Sequence, residues 1–374
     1  MSINRSVSVH FRSWKGFGAV LLFIPLLLAS CASAPPAAAP LSDRDLQWPA
    51  VKPRIAWVRS IRDYHDASIR KGFWKRFAEF FTGEPDTHIG KPYGVLSDEQ
   101  QRLFIADVSQ ARLHVMDSRE NAYSVIGEGI LRSPIGIAMD DAENLYITDS
   151  GAGTIYRYSL RRQLLEPFVV YDFGRPTGIA YNRVNQLLYV SNTTEHQVAA
   201  YDVRGKQCFS IGRRGDGPGQ FNFPTDLFVD EHGLLYVTDS LNSRISIFSP
   251  QGAYLKSFGS PGDSGGSFAK PKGVAVDSKG NIYVCDALLD AVQIFNDRGD
   301  LLLTFGSNGT ANGQFWMPAG IYIDRNDTIF VADSYNRRIQ VFKYLDAGDA
   351  SPGQEDNAAD RQTADGTGPS DERR

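Results

Sequence analysis

One short motif recurs six times along the 374-residue chain: Pro92-Tyr-Gly-Val, Pro134-Ile-Gly-Ile, Pro176-Thr-Gly-Ile, Pro224-Thr-Asp-Leu, Pro271-Lys-Gly-Val and Pro318-Ala-Gly-Ile. The prolines stand 42, 42, 48, 47 and 47 residues apart. A spacing of about 40 to 50 residues is what one four-stranded propeller blade consumes. Within a copy the apolar residues alternate with period two, as half-buried strands require. The fifth copy reads as strands over Gly273–Asp277, Ile282–Asp286, Ala291–Phe295 and Leu301–Phe305, with a turn at Ser278–Asn281. The sixth copy runs out after three strands, at Tyr344. An orphan strand pattern, Arg54–Ile61, precedes the first copy and is expected to supply the missing fourth strand. Closing the ring in this way leaves only short, protected edges. The expectation is an all-β, six-bladed β-propeller over residues 53–345.

The fourth and sixth copies add Tyr236-Val-Thr-Asp-Ser-Leu-Asn-Ser-Arg-Ile245 and Phe330-Val-Ala-Asp-Ser-Tyr-Asn-Arg-Arg-Ile339. An opening Pro-x-Gly, a Tyr-Val-x-Asp strand end and an Asn-x-Arg-Ile turn resemble the NHL repeat family. The resemblance covers about Pro53 to Tyr344 and implies a propeller that binds partners. Copies one and three diverge most: Asn192 replaces the strand-end Asp, and neither keeps the Asn-x-Arg turn.

The ends read differently. A basic start (Arg5, Arg12, Lys15) leads into an apolar run, Phe17–Leu28, the layout of a secretory signal over residues 1–30. Leu28-Ala-Ser-Cys31 resembles the lipobox of bacterial lipoproteins, which implies acylation of Cys31 and, with Ala32 following, sorting to the outer membrane. Several acyl chains on one cysteine suffice for stable anchoring. The expected location is therefore the cell envelope, with the membrane contacted through the lipid anchor. Residues 31–52 read as an Ala/Pro-rich spacer. Residues 346–374 carry no large apolar side chain and are expected to stay disordered. Between the closing strand and the first blade, residues 66–82 read as an inserted amphipathic helix. Phe73, Trp74, Phe77, Phe80 and Phe81 share one face there, beside the basic Arg70, Lys71, Lys75 and Arg76. Such a helix suits a membrane surface or a partner, or packs on the outside of the propeller.

In a propeller the first strand starts, and the second ends, on the same face. Asp107, Asp149, Asn192, Asp239, Asp286 and Asp333 should therefore form a ring. A residue repeated in nearly every blade reads as structural, accepting backbone N–H bonds or pairing with Arg244 and Arg338. Residues that break the repeat at this mouth are the candidate ligand site: Tyr93, Thr177, Thr225, Asp226 and Lys272, with Arg132, Arg175 and Lys270 just before the prolines. Asp226 and Lys272 are expected to pair, and an anionic group would suit the cations.

Other chemistry is poorly provided for. The net charge of −4 leaves no basic stripe for nucleic acid. The glycine-rich stretches 212–219, 259–266 and 306–313 do not end in Gly-Lys-Ser/Thr and are expected to be connections between blades. His65, His88, His114, His196 and His232 follow the signal, and only His196 is placed near the mouth, too few for a three-ligand metal centre. Cys208 and Cys285 should be small buried hydrophobes rather than a bridge. No cofactor or catalytic residue is expected. The reading is a binding or scaffold protein holding an envelope protein or glycan. The alternative is a metal-dependent hydrolase or lyase at the channel, as some six-bladed propellers are.

Overall fold

The structure is a computed structural model and describes residues 46–69, 86–169 and 174–345. It is the expected ring. Two strands come first, β1 (Gln47–Trp48) and β2 (Ile55–Ile61). Blade one is β3 (Pro92–Ser97), β4 (Arg102–Asp107), β5 (Arg112–Asp117) and β6 (Ala122–Ile126); blade two is β7 (Pro134–Met139), β8 (Asn144–Asp149), β9 (Thr154–Ser159) and β10 (Leu164–Val169). Blade three follows as β11 (Pro176–Asn182), β12 (Leu187–Asn192), β13 (Gln197–Asp202) and β14 (Gln207–Ile211); blade four as β15 (Pro224–Val229), β16 (Leu235–Asp239), β17 (Arg244–Phe248) and β18 (Tyr254–Phe258). Blade five is β19 (Pro271–Val276), β20 (Ile282–Asp286), β21 (Ala291–Phe295) and β22 (Leu301–Phe305), and blade six opens with β23 (Pro318–Ile323), β24 (Thr328–Asp333) and β25 (Arg338–Tyr344). The sixth sheet is completed by the chain's own start, in the order β1-β2-β25-β24-β23.

Closure is antiparallel, with Ile55 opposite Tyr344 and Ile61 opposite Ile339. Residues 47–48, expected in the spacer, instead add a fifth strand. The Trp48 ring packs 5.9 Å from both Phe305 and Phe342, and this apolar docking takes the segment out of the spacer. The described start of the expected insertion, residues 66–69, is turn rather than helix: Ala67 and Ile69 are buried among Ile61, Tyr64 and Ile89. Among the described residues the one helical piece is the 3-10 turn Ser240–Asn242. Phe73, Trp74, Phe77, Phe80 and Phe81 lie outside the described residues, as do Cys31, the signal and the tail.

The core lies at the seams between blades, because each blade is a sheet with two apolar faces that only its neighbours can cover. Middle strands are buried on both faces, as in β20 and β21, whereas the outer β22 exposes Leu301 and Leu302. In blades four to six the connection into the blade folds back through a bridge (Arg214 to Phe221, Pro261 to Phe268, Asn308 to Phe315). Each bridge drives a phenylalanine onto the third-strand phenylalanine of its own blade. The ring centroids are 5.5 Å apart for Phe221–Phe248, 5.4 Å for Phe268–Phe295 and 5.8 Å for Phe315–Phe342. The glycine-rich stretches are thus interblade connections. Gly212, Gly259 and Gly306 have φ of 85°, 103° and 88°, and a Cβ on any of them would strike that phenylalanine.

Candidate functional site

The first aspartate ring is structural. Asp107, Asp149, Asp239, Asp286 and Asp333 are fully buried and accept backbone N–H groups from the residues just before each proline. Gly90 and Lys91 donate to Asp107, Arg132 and Ser133 to Asp149, and Lys270 to Asp286 at 2.9 Å. Each carboxylate therefore fixes the entry of strand one against the exit of strand two. In blade three the Asn192 amide oxygen accepts the Arg175 N–H at 3.3 Å. Arg244 and Arg338 pair with Asp239 and Asp333 at 2.9 and 2.7 Å, and their outer nitrogens donate to carbonyls of the preceding connection. His114 is buried between the Asp107 carboxylate and the Tyr123 hydroxyl. His196, which the sequence placed near the mouth, is buried too, and its Nδ1 accepts the Phe223 N–H.

The glycine after each Pro-x sets the width of the channel. A Cβ at Gly94, Gly136, Gly178, Gly273 or Gly320 would run into the backbone carbonyl of the next blade, so inner strands meet backbone to backbone there. Blade four alone breaks this rule. The Asp226 side chain crosses the seam to accept the Val274 N–H at 3.1 Å. The carboxyl sits deep in the channel wall, where the loss of most of its hydration pushes its pKa up to about 7.

Asp226 and Lys272 do not form the pair expected of them: among the described residues neither enters an ion pair. Lys272 faces other cations instead. Burial, then Lys270 and Arg175, lower its pKa. Tyr93 is held above the usual phenol range by burial and by the nearby Asp226, with Arg175 opposing. Tyr93, Arg175, Asp226, Lys270 and Lys272, from blades one, three, four and five, therefore lie within electrostatic reach of one another on the Pro-x-Gly face, Tyr93 and Asp226 lining the channel cavity. Thr177 and Thr225 lock the seams: the Thr177 hydroxyl donates to the Thr225 carbonyl at 2.7 Å, and that of Thr225 to the Lys272 carbonyl. Nothing brings the exposed Arg132 side chain into this group.

From Tyr93, Thr225 and Asp226 a cavity of about 1160 Å³ runs along the inner strands of all six blades to the opposite face. It passes Met139, Tyr181, Phe228 and Tyr322 and is rimmed by the turns between first and second strands. A second ring, unread in the sequence, makes those turns: Asp98, Asp140, Asn182, Asp230, Asp277 and Asp324 each accept N–H groups of the turn they open. The signal was available as an Asp, or in the third copy an Asn, six residues after the opening proline of every copy. At this rim Arg183 reaches Glu99 and Asp141, and Arg325 reaches Glu99 at 2.8 Å. Such exposed pairs are worth about 0–1 kcal/mol each.

Cys208 is exposed on β14 rather than buried, because its neighbours Phe209 and Ile211 take the inward face of an outer strand. Cys285 is buried, its thiol pushed well up by burial, and both cysteines are free. Among the described residues no three His, Cys, Asp or Glu side chains stand together as metal ligands, and no helix is long and apolar enough to cross a membrane.

Six blades around a channel, five of four strands and the sixth of five, closed by strands from the chain's start, define a six-bladed β-propeller. The family model for the NHL repeat matches residues 221–248, 268–287 and 315–342, within blades four to six. NHL repeat-containing protein 2 of Gallus gallus is 25% identical over 147 residues, 31% of this chain and 20% of that one. The chain thus matches a fifth of that relative's length. Among solved structures, an auxiliary nutrient binding protein from Bacteroides thetaiotaomicron superposes with a TM-score of 0.55 at 17% identity, over 69% of this chain and 70% of that one. A gluconolactonase from Xanthomonas campestris gives 0.53 at 17%, over 68% and 86%, and the virginiamycin B lyase of Staphylococcus aureus 0.51 at 12%, over 69% and 96%. At these identities the likeness is one of fold.

Proposed function

We propose that this protein is a lipid-anchored component of the bacterial envelope whose propeller holds a protein or glycan partner at its Pro-x-Gly face. One observation carries the reading: on the Pro-x-Gly face Lys270 and Arg175 stand near enough to Lys272 for their charges to lower its pKa, and among the described residues none of the three enters an ion pair. A buried structural network neutralises its cations, as Arg338 and Asp333 do; cations left facing one another suit an incoming anionic group. That a nutrient binding protein shares the fold is consistent with a binding role. Acylated Cys31 would keep the body at the outer membrane, with the Ala/Pro-rich stretch as its tether.

The test is crosslinking and co-purification from native membranes, comparing wild type with the Arg175→Glu, Lys272→Glu double variant. A partner captured by wild type and lost from the variant supports the reading. A partner retained equally by both overturns this face as the site. Incorporation of an alkynyl fatty acid that vanishes in Cys31→Ser checks the anchor. Stoichiometric metal in the purified body would replace this reading with the hydrolase or lyase one.

A further inference from the structure

The turns between second and third strands lie on the Pro-x-Gly face, since the strand-two aspartates pair with the prolines (Pro224 with Asp239, Pro271 with Asp286, Pro318 with Asp333). Two residues beyond each aspartate, blades four, five and six carry Leu241, Leu288 and Tyr335, which are 57%, 58% and 46% exposed. Blades one, two and three carry Ser109, Gly151 and Thr194 at the same register. Trp316, 47% exposed, extends the row by packing its ring 5.5 Å from that of Tyr335, and the Lys91 ammonium sits 4.6 Å over the Tyr335 ring. Single exposed leucines are ordinary on any surface, but one register on three consecutive blades is a connected pattern. Lys270 borders it, its carbonyl accepting the Ala287 N–H beside Leu288 at 3.0 Å, and Lys272 and Arg175 lie within electrostatic reach of one another nearby. Asp290, two residues after Leu288, is already engaged by the Met317 N–H and the Asn308 amide.

Two stretches of the chain outside the described residues do not match this surface. Residues 346–374 have the acidity, but their largest apolar side chains are Ala and Pro. Residues 70–85 have the aromatics, but would set Arg70, Lys71, Lys75 and Arg76 against the mouth's cations. The C–H face of a sugar ring would suit the flat Trp316–Tyr335 pair, but it fits the branched Leu241 and Leu288 poorly and a neutral glycan leaves the cations unmatched. We infer that the row is a docking surface for a partner protein, received through an acidic segment whose apolar side chains seat on Leu241, Leu288 and the Trp316–Tyr335 pair while its carboxylates meet Arg175, Lys270 and Lys272. The inference rests on the reading of this face as the binding face and names the partner's chemistry. Aromatic and aliphatic anchors centred in such a patch dominate affinity, and the flanking charges set approach and register.

The experiment places a photoreactive benzoylphenylalanine at Leu241, Leu288, Ser109 or Lys279, one variant each, in the full acylated protein in its own membranes. Crosslinked peptides are then sequenced by mass spectrometry. Adducts from positions 241 and 288 should fall on one acidic, apolar-containing segment of another envelope protein. They should drop at least tenfold when Lys270→Glu and Lys272→Glu are added, in variants whose thermal melting matches wild type. Adducts on lipid, on a second copy, on residues 70–85 or 346–374, or on a segment without acidic residues would each overturn the inference. Protein adducts from 109 or 279 alone would overturn the row while leaving a binding propeller; the absence of adducts from all four positions would remove the binding reading as well.

Discussion

Blades four to six and blades one to three meet the same physical demand with different residues. Every blade but the third buries an aspartate at the end of its second strand, and a buried carboxylate must be given donors. Blade six supplies Arg338, Gln340 and Asn336; blade four supplies Arg244 and Asn242. Blade one keeps an arginine at the matching place, Arg112, but that side chain turns to Glu128 and the Asp86 carbonyl, and His114 takes the carboxylate instead. Blade two manages with four backbone donors, from Arg132, Ser133, Gly151 and Ala152. The connections differ in step: a phenylalanine on a phenylalanine at each seam of the second half, against Ile89 with Met116 and Leu131 with Tyr158 in the first. The family pattern detects the blades that pin the connection with phenylalanine; two of them, four and six, also use arginine and amide, while blade five, like blade two, gives its aspartate backbone donors only, from Ala269, Lys270, Leu288 and Leu289. The fold asks only that the carboxylate be satisfied and the connection pinned.

Truncating the buried arginine breaks the comparison hardest if it is wrong. Arg338→Ala strands the Asp333 carboxylate without its charge partner and frees two carbonyls of the connection, so unfolding in urea should show a loss of about 3–5 kcal/mol. Arg112→Ala, the same substitution in blade one, should cost about 1 kcal/mol or less, since Glu128 is mostly exposed. Equal losses would mean that the two halves are held alike.

Acid should separate the same two blades by sign. Burial works against the Asp107 carboxylate, but the His114, Gly90, Ser109 and Lys91 donors together outweigh it and hold its pKa below the usual range. Its contribution is therefore present above the unfolded value of about 3.9 and is lost as pH falls further. Asp333 is shifted the other way, burial exceeding its donors. Asp107→Asn should cost on the order of 2 kcal/mol at pH 7, with the gap to wild type closing below about pH 4. For Asp333→Asn the gap should instead widen, or hold, as pH falls toward that value. Parallel titrations of the two variants would sink the distinction.

Asp226 is where the more regular half departs from its own rule. With its pKa raised to about 7, the folded protein binds a proton that the unfolded chain releases near pH 4. Its stability contribution is then fullest below pH 4, falls as pH rises and levels off above pH 7. Asn keeps the acceptor for the Val274 N–H without the charge. Asp226→Asn should gain about 1–2 kcal/mol at pH 8, discounted because channel water reaches the group, and nothing at pH 4. A flat difference across this range would mean that the carboxylate is paired in solution.

What the sequence disclosed follows from the length scale of each feature. Six proline-opened copies and an orphan strand were enough to place every blade and the closure, because blade length and strand alternation are set by the backbone. The structural role of the aspartate ring was legible from its repetition. The Asp226–Lys272 pair was not, because adjacency in the ring leaves open where a side chain points: Asp226 crosses the seam to a backbone N–H, and among the described residues Lys272 enters no ion pair. The long cavity and its rim were also missed, their residues reading as ordinary turns. Cys208 was misplaced although the alternation Cys208-Phe209-Ser210-Ile211 carried the answer.

The smallest expected change in stability accompanies the sharpest functional test of the two halves. Leu288 lies on the surface with no packing partner to lose, so Leu288→Asp should alter unfolding free energy by no more than about 0.5 kcal/mol. The same substitution sets a carboxylate in the apolar row beside Lys270 and Lys272, where it would neutralise the mouth as well as repel an acidic segment. Ser109→Asp sets a carboxylate at the same register in blade one, outside the row, at the cost of the Ser109–Asp107 hydrogen bond, so the two variants are compared at a temperature where both remain folded. If binding belongs to blades four to six, co-purification of the partner should fall at least tenfold for Leu288→Asp and stay within twofold for Ser109→Asp. Equal effects would assign recognition to the whole ring, and the asymmetry between the halves would then be one of construction alone.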